Sequence, residues 1–319
     1  MIPSFRIQLL GDFLLVSGDT PVTTVNVPRL QSLLAYLVLR RTAPQDRSHL
    51  AFLLWPDSTE AQAHTNLRKL LHQLRQALPD ADHFLYADKH NLQWRPAPSA
   101  SWTLDVQDFE QALAQAEQAE QTQDTAALRQ ALEQAPHLYR GDLLPSCYDE
   151  WILPERDRLH QLFLQSAERL IALLDQERDY TAAISVAQRL LRHDPLHEAT
   201  YRQLMHFYAL RGDRAAALRV YHTCVTVLER EVANVAAVIG REFTFVVLAQ
   251  ASRESEDAVV RGLDELWQRR IVREQGAGTA ETYDFSHDKL RSSRAQSGCK
   301  SGYSFSLTAY CQYELRWTK

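Results

Sequence analysis

Residues 63–79, with the sequence AHTNLRKLLHQLRQALP, combine a leucine stripe with polar side chains that could bind a polyanion. At about 100° per residue in a helix, the side opposite the leucines carries Thr65, Arg68, Lys69, His72 and Gln76. Arg and Lys suit guanine edges and phosphates, whereas Gln, His and Thr are adaptable partners in a DNA groove. With almost no acid to balance it, this face predicts either a nucleic-acid reader or an ordinary solvated helix surface.

The elements that precede this helix help to choose between the two interpretations. The apolar stretches FRIQLL and FLLVS predict strands, and a turn at 18–21 leads into VTTVNV to complete a small antiparallel sheet. Leucine spacing predicts a helix over 29–40, and RSHLAFLLWP predicts a second helix. In DSTE, Asp57 and Glu60 have capping-box spacing, so the third helix is expected to begin near residue 58.

The stretch HFLYADKHNLQW that follows predicts two short strands around a polar turn containing Lys89 and His90. Three helices and then a hairpin are the order of a winged helix-turn-helix. In that fold the third helix enters the major groove and the wing lies on a neighbouring backbone. This order favours DNA reading for the helix predicted at 59–78.

Charge is unevenly distributed along the chain. Residues 1–95 hold 10 basic and 8 acidic residues, residues 96–232 hold 13 and 21, and residues 233–319 hold 12 and 11. A polyanion is therefore expected to bind residues 1–95, which we call the head, since the acidic segment 96–232 would repel it. The sequence has neither an apolar run long enough to cross a bilayer nor a signal-peptide pattern, so we expect a cytoplasmic protein without a membrane partner.

The middle of the chain contains an internal repeat. Residues 168–198 align with residues 202–232 at an offset of 34 residues, which places Asp179 on Asp213 and two alanines on two alanines. This period, with small residues where paired helices touch, predicts tetratricopeptide-like repeats that bury their apolar faces by stacking. Residues 124–139 look like part of an earlier, degenerate unit. Such repeats are a protein-contact module, and a plain helical spacer is the alternative.

A series of motifs in this order resembles the SARP-type bacterial transcriptional activators: LLGDFLL, LLAYLVL, LLWPDS, NLRKLLHQLRQAL, LDVQDFEQAL, YRGDLLP, WILPERDRL and the Asp-x-x-Ala-Ala repeats. The likeness covers residues 5 to about 232. It implies an OmpR-like winged helix joined to a tetratricopeptide-like bacterial transcriptional activation domain. It also implies binding to direct-repeat promoter DNA, with a homodimer as a candidate assembly, and recruitment of RNA polymerase.

The resemblance carries Asn66, Arg68, Lys69 and His72 over as recognition-helix residues, with the wing around Lys89. Together with the exposed face described above and Arg75 on the same helix, it completes the set of candidate DNA-binding residues. The set is Thr65, Asn66, Arg68, Lys69, His72, Arg75, Gln76 and Lys89.

Residues 233–292 resemble the winged-helix arm that follows the nucleotide-binding core of STAND and AAA-type ATPases. RIVRE with TYDFS predicts a hairpin there, and an amphipathic helix is predicted from Val259, Leu263, Leu266 and Trp267. The chain has no Walker A sequence, since SGCKSG lacks the glycine-rich loop, so we expect no nucleotide binding or hydrolysis. The junction VLEREVANVAAVIG is interpreted as a join over missing sequence, and a poorly ordered tail is expected over 293–319.

Other chemistries receive little support. Ser, His and Asp are consecutive at 286–288, and neighbours on a strand point to opposite faces, so they do not predict a catalytic triad. His193 and His197 flank Pro195 in a turn and lack the shared helix face of a zinc pair. The four cysteines form no C-x-x-C pair and are expected to be free thiols. We therefore expect no catalytic residue, no metal and no cofactor.

The sequence thus predicts a mainly α protein. Its expected segments are a winged helix-turn-helix over 1–95, an activation domain over 99–232, an ATPase-arm remnant over 233–292 and the tail. The expected function is that of a sequence-specific DNA-binding activator whose repeats contact the transcription machinery or another copy. The alternatives are a helical-repeat adaptor or a non-functional truncated regulator, in both cases without DNA binding. The missing phosphate loop disfavours an ATP-driven switch.

Overall fold

The computed structural model of the chain describes residues 4–239, 242–252, 255–268, 272–275 and 282–285. The predictions for the tail, for SGCKSG and for residues 286–288 lie outside these ranges. The chain divides into two compact units, Met1–Val186 and Ala187–Lys319.

Helices make up most of the described chain, which confirms the mainly α prediction. The strands are β1 (Phe5–Gln8), β2 (Leu14–Ser17), β3 (Thr20–Pro21), β4 (Gln45–Asp46), β5 (Leu85–Ala87), β6 (Asn91–Trp94), β7 (Trp102–Leu104), β8 (Glu242–Thr244), β9 (Val272–Gln275) and β10 (Thr282–Phe285). The helices are α1 (Pro28–Leu39), α2 (Arg47–Leu54), α3 (Glu60–Ala77), α4 (Asp105–Gln121), α5 (Thr125–Leu138), α6 (Leu153–Gln176), α7 (Tyr180–His193), α8 (Glu198–Leu210), α9 (Arg214–Ile239), α10 (Phe245–Ser252) and α11 (Glu256–Gln268).

The first sheet contains a strand that the sequence did not predict. Its order is β3-β2-β1-β7, with β1 and β2 antiparallel as predicted and β7 parallel to β1. The predicted strand in VTTVNV is wrong, because β3 ends at Pro21 and Thr23–Val25 form a short 3-10 helix. This turn buries Val25 fully, and the N–H of Asn26 bonds back to the carbonyl of Thr23. Local backbone bonding therefore takes the place of a longer strand.

Helices α1 and α2 lie where they were predicted, and each begins at a suitable residue. Pro28 occupies the first turn of α1, where a backbone N–H has no helical partner to lose. At the start of α2, the Asp46 carboxylate accepts the N–H of His49 at 2.8 Å and so caps the helix.

The start of α3 differs from the prediction, whereas the wing agrees with it. The capping box predicted from Asp57 and Glu60 is wrong, because a turn from Trp55 to Ser58, closed by a 3.2 Å backbone bond, occupies this stretch. Helix α3 starts after Thr59, whose side chain makes no capping hydrogen bond. Strands β5 and β6 form the predicted hairpin, and β4 joins them in a sheet of order β4-β6-β5. The result is a winged helix-turn-helix.

Two of the sequence motifs meet where the head joins α4–α6. The N–H of Gly11 donates to the carbonyl of Asp142 at 2.9 Å, and the N–H of Leu144 donates to the carbonyl of Leu9, also at 2.9 Å. A Cβ on Gly141 would lie 3.3 Å from the Cα of Gly11, closer than an ordinary van der Waals contact, so the two segments lie tightly against each other. Backbone hydrogen bonds and close packing therefore join the motifs LLGDFLL and YRGDLLP.

The two predicted repeats use the same helix cap. Asp179 accepts the N–H of Ala182 at 3.1 Å at the start of α7, and Asp213 accepts the N–H of Ala216 at 2.9 Å at the start of α9. Asp is among the residues best suited to this N-cap position, because its carboxylate satisfies a free backbone donor. The 34-residue offset thus repeats a capping interaction as well as a hydrophobic pattern.

In the second unit, the elements after the repeats follow the order of a winged helix. Strands β9 and β10 form the predicted hairpin, β8 pairs with β10, and α9 runs unbroken through the predicted junction as far as Ile239. In α11, Val259, Leu263 and Leu266 are buried as predicted, but Trp267 is 57% exposed. Its assignment to the apolar stripe is wrong, because Trp267 lies at the edge of the stripe, about 40° from Leu263 and beside the exposed Val260.

Candidate nucleic-acid interface

Helix α3 is held against the head by the predicted leucine stripe. It packs on α1 and α2. Leu78, just past its last turn, is also buried. The buried residues within the helix are Ala63, Leu67, Leu70, Leu71 and Leu74. Burial of this side fixes the rotation of the helix and leaves the opposite side at the surface.

The structure places the candidate residues on that outward side and on the wing. Thr65 and Asn66 are half-buried, and Lys89 is exposed in the turn between β5 and β6. The exposed candidates on α3 are Arg68, Lys69, His72, Arg75 and Gln76. Seven of the eight candidates thus belong to one rigid helix, and the eighth belongs to the wing.

The polar side chains at the centre of this face have few partners within the protein. The Nε of Arg68 donates to the carbonyl of His64 at 3.3 Å, and one terminal nitrogen donates to the hydroxyl of Thr65 at 3.2 Å. Gln62 donates to the Oδ1 of Asn66 at 2.8 Å. Within the described part of the chain, the Lys69 side chain has no hydrogen-bond or ion-pair partner. The positive charges of Arg68 and Lys69 are therefore not neutralised by an acid.

Two side chains on the edges of the face do have acidic neighbours. His64 lies 3.9 Å from the carboxylate of Glu60, and Arg75 lies 3.8 Å from that of Asp82. Arg75 remains exposed, and so weak a surface pair leaves it available to another partner. The uncompensated positive charge is accordingly concentrated in the middle of α3.

The wing tip is organised by Asp88, which the sequence reading did not single out. Its Oδ1 accepts the N–H groups of His90 and Asn91, both at 2.7 Å, and its Oδ2 accepts the hydroxyl of Tyr86 at 3.1 Å. The two backbone hydrogen bonds are the main reason that the pKa of Asp88 is lowered to about 2. An Asp at the start of a polar turn often accepts the backbone N–H two residues later, in an Asx-turn. The role of Asp88 in the turn could therefore have been predicted from the sequence.

Two further cations adjoin the wing. The guanidinium of Arg95 lies 5.3 Å from the centre of the exposed Tyr86 ring, within cation–π range. Arg47, at the start of α2, donates from its side chain to the carbonyl of Asp88 at 2.9 Å and from its N–H to the carbonyl of His90 at 2.8 Å. The hydrogen bond from Tyr86 to Asp88 is the main cause of the raised pKa of the Tyr86 hydroxyl. Sequence periodicity gave no signal for these contacts.

Two further features are absent from the described residues. No group of three or more His, Cys, Asp and Glu side chains is placed to hold a metal ion there. Over the same residues, no helix is both long enough and apolar enough to span a bilayer. Cys147 and Cys224, the two cysteines in the described ranges, are free thiols.

Residues 104–236 match the family model of the bacterial transcriptional activator domain. Among solved structures, the chain is similar to Mycobacterium tuberculosis EmbR in complex with a low-affinity phosphopeptide. The TM-score is 0.57 and the sequence identity is 19%, over 92% of this chain and 69% of that chain. No curated protein shows significant similarity. At this identity the likeness to EmbR shows the fold, a winged helix joined to a helical repeat domain. Residues 104–236 therefore match the bacterial transcriptional activator domain, and the chain shares the fold of EmbR; both findings support the predicted resemblance to the SARP-type bacterial transcriptional activators.

Proposed function

We propose that the chain activates transcription by binding double-stranded promoter DNA sequence-specifically through α3. One observation carries this proposal: among the described residues, Arg68 and Lys69 at the centre of the exposed side of α3 have no acidic partner, although His64 and Arg75 at its edges do. A face that served only to stay solvated would gain from similar pairing along its whole length. A helix face that meets a phosphate-lined groove would instead keep its charges free.

The residues on the face suit different tasks. Lys69 is a point charge without a partner among the described residues, which suits a backbone phosphate. Arg68 is steadied by Thr65 and presents a planar fork, which suits a guanine edge. Asn66, His72 and Gln76 would add hydrogen bonds in the groove. Arg75 and the exposed Lys89 of the wing would contact the adjoining backbone.

The helical repeats would make the protein contacts that activation requires. We assign the winged helix-turn-helix to 1–95, the activation domain to 99–232 and the ATPase-arm remnant to 233–292. The repeats would contact RNA polymerase or another copy of the chain bound to the neighbouring direct repeat. The backbone bonds between LLGDFLL and YRGDLLP join the winged helix-turn-helix directly to the activation domain. No enzymatic step, metal or nucleotide is needed for these roles.

The test is a selection of duplexes from a random-sequence library with the full purified chain. Enriched duplexes are then labelled and their affinity is measured by fluorescence anisotropy at several salt concentrations. We expect one enriched sequence, and an affinity that falls as salt rises because bound phosphates release counterions. An adaptor without DNA binding would enrich no sequence. The matched control is the Arg68→Ala/Lys69→Ala double variant, which should lose most of the binding while it melts like the parent.

A further inference from the structure

The wing presents an apparent contradiction at its tip. Asp88 directly precedes the exposed Lys89 and His90, so a negative charge lies on a surface that is proposed to face phosphates. Like charges repel at short range, and a carboxylate at this position would by itself weaken DNA binding. The hydrogen bonds of Asp88 indicate a different role for it.

The carboxylate fixes the turn from the inside. Both backbone N–H groups that follow the tip, those of His90 and Asn91, point at Oδ1 at 2.7 Å. The other oxygen accepts the Tyr86 hydroxyl from the preceding strand at 3.1 Å and the Asn91 amide at 3.4 Å. A single side chain therefore joins the residues on both sides of Lys89.

Helix α2 fixes the same turn from the outside. Arg47 donates to the backbone carbonyls of Asp88 and His90, the residues on either side of Lys89. These bonds leave the backbone of the tip with little freedom. The side chains of Lys89 and His90 still project into solvent. Hydrogen bonds within the chain therefore define the conformation of the tip.

We propose that Asp88 is a positioning residue for DNA binding, whose carboxylate holds the wing tip in the conformation that presents Lys89 and His90 to the DNA backbone. This inference rests on the proposed function of the head. A loop that is already ordered does not have to be immobilised on binding, and so the complex loses less entropy. That gain outweighs the repulsion from one carboxylate, since solvent and salt screen the charge and its hydrogen-bond donors partly neutralise it.

The experiment compares three substitutions in the full chain, using the duplex enriched by the parent. Asp88→Asn removes the charge but keeps an oxygen that can accept the two N–H groups, so it should bind as well as the parent or better. Asp88→Ala removes both charge and acceptor and should bind about threefold to tenfold more weakly, although it is less negative. Asp88→Ser keeps a weaker acceptor and should fall between them. Asp57→Ala, an exposed acid in the loop before α3, is the control for loss of charge alone and should bind no more weakly than the parent.

A second measurement separates positioning from general stability. Amide hydrogen exchange at His90 and Asn91 should be faster in the Ala variant and parent-like in the Asn variant. The melting temperature should change little in both, because Asp88 lies at a surface turn. If the affinities of the variants instead follow their melting temperatures, the role of Asp88 is structural and the inference is overturned.

The remaining outcomes also give clear answers. If the Asn and Ala variants both bind more tightly, Asp88 acts only through its charge, and the inference fails while DNA binding by the head stands. Loss of binding in the Arg68→Ala/Lys69→Ala variant keeps the proposed function intact in that case. If this double variant binds like the parent, α3 is not the DNA-binding helix, and the inference is overturned together with the proposed function.

Discussion

The carboxylate of Asp105 accepts the backbone N–H of Leu10 at 2.8 Å, 95 positions away in the sequence. The same carboxylate accepts the N–H of Leu9 with both oxygens, at 3.0 and 2.9 Å, and that of Val106 at 2.8 Å. Asp105 is the first residue of α4, and Leu9 and Leu10 follow β1. Burial raises the pKa of Asp105, while its backbone donors act in the opposite direction. This one residue ties the winged head to the matched activator domain.

We expect Asp105→Ala to destabilise the first unit. The substitution leaves the N–H groups of Leu9 and Leu10 without their acceptor, and each buried donor left unpaired costs about 1 to 3 kcal/mol. Urea unfolding of the full chain, followed by circular dichroism, measures this loss. Asp108→Ala is the control, because Asp108 lies in the same helical turn and makes no hydrogen bond through its side chain among the described residues. An equal loss in both variants would mean that the hydrogen bonds from Leu9 and Leu10 to Asp105 add no stability.

The two sides of α3 should respond differently to substitution. Leu71→Ala removes buried methyl groups and should lower the free energy of unfolding by about 2 to 5 kcal/mol. The Arg68→Ala/Lys69→Ala variant opens no cavity and should stay within about 0.5 kcal/mol of the parent. Thermal melts and binding measured side by side distinguish them: the leucine variant should lose binding only where it unfolds. Normal binding by a folded double alanine variant would exclude this face as the reader.

Arg68 and Lys69 should have separable effects on binding. Lys69→Ala should weaken binding to every sequence alike and reduce the salt slope by about one unit, as expected for a phosphate contact. Arg68→Ala should cost about 1 to 3 kcal/mol on the selected sequence and relax the preference at a single base pair. Anisotropy with the enriched duplex and its single-base-pair variants, at several salt concentrations, measures both. If both substitutions change the salt slope equally and neither changes sequence preference, both residues contact phosphate.

The stability contributed by Asp179 should depend on pH. Its pKa lies below the ordinary 3.8, mainly because its carboxylate accepts the N–H of Ala182 and then because Arg129 donates to it. The folded state thus favours the carboxylate, which stabilises the fold above about pH 3.8, and this contribution is lost as pH falls through the lower folded pKa. Asp179→Asn should therefore melt below the parent at neutral pH, and the two should converge in acid.

Asp213→Asn is the matched control for this prediction. Asp213 caps α9 in the same way, but no guanidinium pairs with it in the described residues. Its substitution should shift the melting temperature less than the substitution of Asp179 at neutral pH. A difference between the parent and Asp179→Asn that does not change with pH would show that the charge of Asp179 is not involved.

Local patterns in the sequence determined much of the fold. The leucine spacing gave the buried side of α3, the polar turn around Lys89 gave the wing hairpin, and the 34-residue offset gave two helices with identical Asp caps. These features depend on residues a few positions apart, so the periodicity of side chains and the needs of helix ends are visible in the chain itself. The outward position of Arg68 and Lys69 followed directly from the same periodicity.

Only the tertiary structure decided which distant groups meet. Three contacts join segments far apart in sequence. β7 pairs in parallel with β1, Asp105 accepts the N–H groups of Leu9 and Leu10, and Arg47 donates a hydrogen bond to the wing tip. Buried backbone donors must find an acceptor, but the sequence does not state which one, because that choice depends on how whole elements pack. For the same reason, the exposure of Trp267 could not be read from its spacing: an apolar residue at the edge of a stripe is buried only if a neighbouring element covers it.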